Sequence, residues 1–314
     1  MNQLIWRLHR TQVLFAVAAL GALAVLLVIT GAVMAHDYHR FLATCAATQS
    51  CGEGQGQLYS GDGAIFDIVN LTMVVPLLFG LFWGAPLVAK EMEDGTHTLA
   101  WTQGVTRRHW LTTNVAWVLL AAAAWGAAIA TMVSWWRTPE NALGTRFDSF
   151  DVQGLVPVAY SLFAVALGIA VGSLFRRVLP AIATTLGAFV AVRVAIGVYL
   201  RPHLIAPLIS SVSPTSGGAP AGSWVISSGL VGPGGQALGR SISFNQIPAA
   251  CQPSGVGEKS VVLLCLVAHG FRQVVTYQPA GRFWAFQGIE GAIFLVLTAA
   301  LLGLAYWRVL TRDA

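Results

Sequence analysis

Charge is scarce in this chain. Only 10% of its 314 residues are Asp, Glu, Lys or Arg, and 56% are apolar. An average soluble domain is about 25% charged. The net charge of +5 comes from arginines spread along the chain in ones and twos, so it does not form a nucleic-acid-binding patch. The composition therefore excludes an ordinary soluble domain and predicts an integral membrane protein with no nucleic-acid partner.

The sequence also lacks the common motifs for nucleotide binding and hydrolysis. Gly255–Ser260 imitates the tail of a P-loop, but Pro253 and Glu258 stand where G-x-x-x-x-G-K-[ST] requires glycine. No H-E-x-x-H or G-x-S-x-G pattern occurs. The His36–His39 segment holds two histidines and an aspartate, and no further metal ligand accompanies them. We therefore predict no catalytic residue, no metal site and no cofactor in this chain.

Six apolar runs are each long enough to cross a bilayer, which takes about 20 helical residues. The runs are residues 13–35, 66–89, 111–136, 155–175, 181–200 and 283–310. Residues 1–12 are basic and partly amphipathic, which predicts an interfacial helix. The short segments 90–110 and 176–177 carry arginines, which favours the cytoplasmic side. The expected fold is an all-α integral membrane protein with transmembrane helices one to five within 13–200 and helix six within 283–314. It would be multi-pass in the cell membrane, with both termini cytoplasmic.

Residues 201–282 form the largest segment outside the predicted spans. It begins with a stretch rich in Ser, Gly and Pro that extends to Gly235, a composition that favours turns over a packed core. Val261–Ala268 is too short to span and predicts a helix capped by Gly270, whereas Phe271–Tyr277 predicts a strand. We expect an extracellular domain here, between helices five and six.

The four cysteines lie outside the predicted spans, at Cys45, Cys51, Cys251 and Cys265. Four cysteines allow three connectivities. Local pairing, Cys45 with Cys51 and Cys251 with Cys265, closes two small loops and needs no special fold. Free thiols are the alternative, which an oxidising compartment disfavours. We predict the two local disulfides.

The polar stretch Glu91–Trp110 joins the second and third spans. It reads E-M-E-D-G-T-H-T-L-A-W-T-Q-G-V-T-R-R-H-W. Its acidic residues come just before Gly95 and Thr96. Thr96 can cap a short helix over residues 96–103, and the carboxylates would lie beside the positive end of that helix.

This pattern resembles the first cytoplasmic loop of ABC-2 type transporter permeases, whose usual form is E-K-E-R-G-T, a leucine-rich turn and T-P-x-S-R. The matching residues are Glu91, Glu93, Gly95, Thr96, Leu99, Thr102 and Arg107. Gln103 replaces the usual proline, and L-A-W-T-Q, which contains Trp101, looks like the actinobacterial members. The resemblance implies that these residues form the coupling helix, which sits on a separate ATPase subunit.

The resemblance also implies a fold similar to type V ABC exporters and a function. The chain would be the permease subunit of an exporter that moves a hydrophobic or amphiphilic compound, such as a drug, antibiotic or lipid. It would work as a homodimer with two ATPase subunits, which bind ATP and Mg²⁺. Spans two and five would line the path, with candidate residues Phe79, Phe82, Trp83, Phe189 and Arg193. The alternative is a non-transporting sensor or assembly factor that displays an extracellular domain.

Arg193 and Glu290 are ionisable residues inside predicted spans, each about 10 Å from the nearer end at 1.5 Å per residue. A charge at that depth is costly and usually faces a partner or a water-filled path. An Arg193–Glu290 ion pair satisfies both groups. Alternatively, Arg193 lines the transport path and meets an anionic substrate.

Overall fold

Six long apolar helices account for most of the described chain. The computed structural model describes residues 2–48, 63–93, 107–142, 146–175, 177–214, 218–235, 248, 251 and 259–311. Six helices within these ranges are long and apolar enough to cross a membrane: Val17–Cys45, Asp67–Glu91, Leu111–Trp136, Val156–Phe175, Val178–His203 and Ala280–Thr311. We call them spans one to six.

The chain divides into two compact units. The helical unit contains Met1–Asn141, Ser149–Arg193 and Gln287–Ala314. The sheet unit contains Ala142–Asp148 and Val194–Phe286.

Span one belongs to a single helix, Asn2–Thr48. The sequence instead predicts an interfacial helix over residues 1–12, a span over residues 13–35 and a loop from His36. The structure has no break at either boundary. No proline occurs between residues 2 and 48, so nothing removes a backbone donor. A change from apolar to polar residues marks where a helix passes from the membrane into water, but it does not end the helix.

Span two is helical but irregular. A 3₁₀ turn, Thr72–Val74, precedes the α-helical Val75–Phe79, and a π-helical turn, Gly80–Gly84, precedes Ala85–Glu93. The backbone N–H of Ala85 bonds to the carbonyl of Gly80, five residues earlier. Pro76 follows the first irregularity and Pro86 follows the second, and each proline removes one i→i−4 hydrogen bond. The prolines therefore account for the changes in helical winding.

Span four is the centre of the helical unit. In this span 78% of the most apolar window is buried, against 17–39% in the other five spans. One core cluster joins spans two, three, four and six. Its buried members are Phe79, Val88, Leu111, Val115, Ala122, Val165, Ile169, Ala170, Ala305 and Val309. Span one packs on span three through a second cluster that includes Leu27, Val133 and Trp136.

Spans two and four pack at glycine-to-backbone distance. A Cβ atom placed on Gly168 would lie 2.5 Å from the backbone nitrogen of Ala85, and one on Gly80 would lie 2.6 Å from the carbonyl oxygen of Ala164. No real Cβ fits at such distances. The G-x-x-x-G spacings at residues 80–84 and 168–172 therefore face each other, and they allow the two backbones to touch.

The helices make up most of the described chain, as expected, and the sheet unit adds three antiparallel strands. The strands are β1 (Leu208–Val212), β2 (Trp224–Val231) and β3 (Arg272–Gln278), in the spatial order β1-β3-β2. β3 is central and includes almost all of the strand predicted from the sequence. β1 and β2 lie in the stretch predicted to form turns. Its many Ser and Gly residues weaken the strand signal of the β-branched and aromatic residues that pair with β3.

A short helix, Lys259–Ala268, precedes β3. Gly270 has φ +77°, the left-handed conformation that ends helices. This agrees with the predicted helix and its glycine cap.

Candidate functional site

The described structure contains both ends of the predicted coupling segment. Glu91 and Glu93 lie on the last turn of Ala85–Glu93, and Arg107 begins the helix Arg107–Trp136. The remaining predicted coupling residues lie outside the described residues: Gly95, Thr96, Leu99, Trp101 and Thr102. The coupling helix itself therefore stays a prediction, and the structure locates only its two attachments.

Glu93 bonds to the start of span five. Its Oε2 atom accepts a hydrogen bond of 2.9 Å from the backbone N–H of Val178, the first residue of the helix Val178–Val194. The first N–H groups of a helix have no partner within it and lie at its positive end, where a carboxylate is stabilising. One carboxylate of the E-x-E motif therefore connects the end of span two to the start of span five. Sequence analysis missed this contact because 85 residues separate the partners.

The aromatic residues proposed to line a path in span two have different environments. Phe79 is 7% exposed, and its ring lies 4.5 Å from that of Trp83 and 5.7 Å from that of Trp125. Trp83 is half-buried against the same core. Phe82 is 61% exposed. Only Phe82 of these three points fully away from the helices of its own chain.

Phe189 in span five is 5% exposed and stacks on Phe163 of span four, with ring centroids 5.9 Å apart. A path formed by two copies of a chain is lined by side chains that each copy leaves uncovered. Phe79 and Phe189 are covered by their own chain in this conformation, so their place in a transport path stays a prediction.

Arg193 lies in a polar cluster whose members are buried or partly buried. Its Nη2 is 3.2 Å from Asp151 Oδ1, and its Nη1 is 3.5 Å from Glu290 Oε1, an ion-pair contact without hydrogen-bond geometry. The guanidinium carbon lies 3.6 Å from the ring centroid of Tyr160. The Tyr160 hydroxyl is 3.1 Å from Asp151 Oδ1 and 2.5 Å from Glu290 Oε1. Glu290 is completely buried.

The structure thus brings together the predicted pair, Arg193 and Glu290. It adds Asp151 and Tyr160, which sequence analysis missed because Asp151 lies in a connecting segment and Tyr160 is one aromatic residue among many. Two carboxylates flank the guanidinium, so an incoming anion would meet like charge on both sides. The cluster has the geometry of an internal ion pair rather than of an anion-binding site.

Gln287 is a second buried polar residue, and both its side-chain oxygen and its side-chain nitrogen have partners. Its Oε1 accepts hydrogen bonds from the backbone N–H groups of Leu155 and Val156, at 3.0 and 2.9 Å. Its Nε2 donates to the carbonyl of Phe150 at 2.9 Å. Span six therefore caps the beginning of span four with a side-chain amide. Gln287 and Glu290 lie on one helix three residues apart, so they share a face towards span four.

The sheet unit contains the predicted Cys251–Cys265 disulfide. Cys45 is also disulfide-bonded, and its predicted partner Cys51 lies outside the described residues. His269 Nδ1 lies 3.5 Å from Cys251 Sγ and 3.7 Å from Cys265 Sγ. Both sulfurs are bonded to each other, so they cannot act as thiolate ligands, and this group is not a metal centre in the present state.

Residues 17–201 match the family model described as ABC-2 membrane transporter related. The match covers more than half of the chain. It includes spans one to four, nearly all of span five, and the Glu91–Trp110 stretch on which the family resemblance rests. No curated protein and no solved structure matches the chain. The chain belongs to the ABC-2 membrane transporter related family, and it is a multi-pass permease-type subunit of an ABC transporter.

Proposed function

We propose that this chain is the permease of an exporter that carries a hydrophobic or amphiphilic compound out across the cell membrane. The family match over five of the six spans carries the proposal. ATP and Mg²⁺ bind to a separate ATPase subunit. Two copies of the chain assemble with two ATPase subunits, with both termini and the Glu91–Trp110 stretch in the cytoplasm.

Uncovered apolar faces of spans two and five support a path between two copies. Leu71, Leu78 and Phe82 are exposed along one side of span two. Leu179, Leu186 and Val190 are exposed along one side of span five. Within each span the spacings are those of a single helical face. These residues line the path, and their apolar side chains suit a hydrophobic or amphiphilic cargo.

The Glu93–Val178 hydrogen bond supports a mechanism for coupling. When the ATPases close, they push on the loop that follows Glu93. The carboxylate passes this displacement to the first turn of span five, which carries half of the path. Spans two and five then move together, because the displacement passes directly between them and not through spans three and four. Glu93 is accordingly a positioning residue, and the ATPase contacts come from the rest of the loop.

The test measures ATP hydrolysis and export side by side in vesicles that contain the permease and its ATPase. The paired substitution Glu91→Ala and Glu93→Ala, and separately Gly95→Leu, should leave membrane insertion intact. Both should preserve basal hydrolysis but remove most export and most stimulation by cargo. Glu93→Gln keeps a hydrogen-bond acceptor for the Val178 N–H and should retain more coupling than Glu93→Ala.

Asp37→Ala is the matched control, because Asp37 is an exposed acidic residue on span one. It should leave both activities unchanged. Normal export in both loop variants would show that this segment is not the coupling element.

A further inference from the structure

A small cavity with several polar side chains in its wall lies where spans two, three and four meet in the helical unit. It provides about 10 Å³ of space for the centre of a water-sized sphere. A cavity needs about 10–15 Å³ on this measure to hold one water molecule. Its wall combines apolar side chains with the polar residues Thr72, Trp125, Asp151 and Ser161. The space therefore suits one water-sized molecule.

Trp125, one of the lining residues, carries a hydrogen-bond donor that no described residue satisfies. Trp125 Nε1 is buried, and among the described residues it has no hydrogen-bond partner. Buried indole N–H groups normally have a partner, because an unpaired donor has lost its bond to water. The same helix provides a comparison in Trp136, whose buried Nε1 donates to Thr30 Oγ1 at 3.0 Å.

Other lining residues provide oxygen atoms. The Ser161 hydroxyl donates to the carbonyl of Pro157 at 2.8 Å, and the Thr72 hydroxyl donates to the carbonyl of Val69 at 2.6 Å. Their hydrogens are thus used, and each oxygen keeps acceptor capacity. Asp151 contributes an acceptor-only carboxylate to the same wall.

These groups define the chemistry of the occupant. It must accept a hydrogen bond from the indole and donate to oxygen atoms. A cation cannot accept from the indole N–H, and a simple anion has no hydrogen to donate to the oxygen atoms. An apolar molecule would leave Trp125 unpaired.

We propose that a single bound water molecule occupies this cavity and bridges Trp125 to the oxygen atoms of Ser161, Thr72 or Asp151. The cavity adjoins the 3₁₀ turn Thr72–Val74 and Pro76, where span two bends. A water bridge lets this bend shift against spans three and four without breaking a direct hydrogen bond. The inference goes beyond the transport function and does not depend on it.

The experiment is radiolytic hydroxyl-radical labelling of the full-length protein in detergent, followed by mass spectrometry. X-rays convert bound water to radicals in place, so a side chain beside it is labelled even when bulk solvent cannot reach it. Trp125 should be labelled several-fold faster than Trp136, and bulk radical scavengers should not slow the reaction. Equal labelling of the two tryptophans would overturn the proposal.

Ultraviolet resonance Raman spectroscopy provides the second measurement. The difference between wild type and Trp125→Phe isolates the indole mode whose wavenumber falls when the N–H is hydrogen-bonded. The corresponding Trp136→Phe difference gives a bonded reference within the same protein. Trp125 should show the bonded position. A non-bonded position shows a dry cavity, and a bonded position without fast labelling shows a partner other than water, so either result rejects the bound water.

Discussion

Arg193 shows how one charged side chain is accommodated within a membrane-spanning helix. An isolated charge at this depth is costly. Here Asp151 and Glu290 neutralise the guanidinium and the Tyr160 ring covers its face. The four side chains come from spans four, five and six and from the segment before span four. The arginine therefore joins several elements at one point, and its removal affects all of them.

We predict that Arg193→Met destabilises the protein by about 3–5 kcal/mol, the usual effect of removing one partner from a buried ion pair. The substitution keeps an apolar stem but leaves Glu290 buried without its cation. Combining it with Glu290→Gln removes the completely buried charge and leaves only the partly exposed Asp151 carboxylate, so part of the loss should be recovered. Unfolding titrations in detergent micelles measure both variants.

Arg177→Met serves as the control, because Arg177 is exposed on a short connection. Its effect on the free energy of unfolding should be small. If the double variant is no more stable than Arg193→Met alone, the ion pair is not what makes Arg193 important.

Glycines set the short distance between the backbones of spans two and four, beside the apolar cluster that the two spans share. Lipid is as apolar as a leucine side chain, so membrane helices associate through close packing and polar contacts. Gly80, Gly84, Gly168 and Gly172 remove the side chains that would keep the two backbones apart. The π-helical turn Gly80–Gly84 lies in this contact, and its two glycines pack against the backbone of span four.

We predict that Gly168→Ala lowers the melting temperature and reduces the yield of monodisperse protein. The new Cβ meets backbone atoms of span two, which cannot rotate away, and such overpacking typically costs about 1–3 kcal/mol. Gly187→Ala is the matched control, because a Cβ there has nothing within 4 Å. Fluorescence-detected size exclusion and thermal unfolding compare the two. Equal behaviour would contradict the close-packing account.

The whole molecule has an asymmetric arrangement along its sequence. Short connections link spans two to five, whereas a unit with its own sheet and disulfide lies between spans five and six. Arginines at Arg107, Arg108, Arg176 and Arg177 occupy short connections, which favours the cytoplasmic side for them. The sheet unit would then lie outside, where disulfides persist.

We predict that Thr96→Cys reacts with a membrane-impermeant maleimide only after the cytoplasmic side is exposed, and that Val225→Cys reacts from outside intact cells. Val225 is an exposed position on β2. Cys251 and Cys265 are paired with each other and Cys45 is in a disulfide, so these native cysteines offer no competing thiol. Reaction of Thr96→Cys in intact cells would reverse the proposed orientation.

The sequence by itself determined the class of protein, the number of spans and the family. These depend on long apolar runs and a short local motif, and both are properties of consecutive residues. Span three illustrates this, since the predicted Leu111–Trp136 is also the span in the structure. The Cys251–Cys265 disulfide was predictable for the same reason, because its two cysteines are close along the chain.

Only the tertiary structure decided which distant side chains meet. Glu93 and the Val178 N–H, Arg193 and Asp151, and Gln287 and the start of span four are contacts between segments far apart in sequence. A single sequence specifies the face that a residue occupies on its own helix, but not the neighbouring helix towards which that face is turned. In this membrane protein, nearly every face is apolar. The pairing is therefore settled by glycine contacts and a few buried polar groups, whose geometry exists only once the helices have packed.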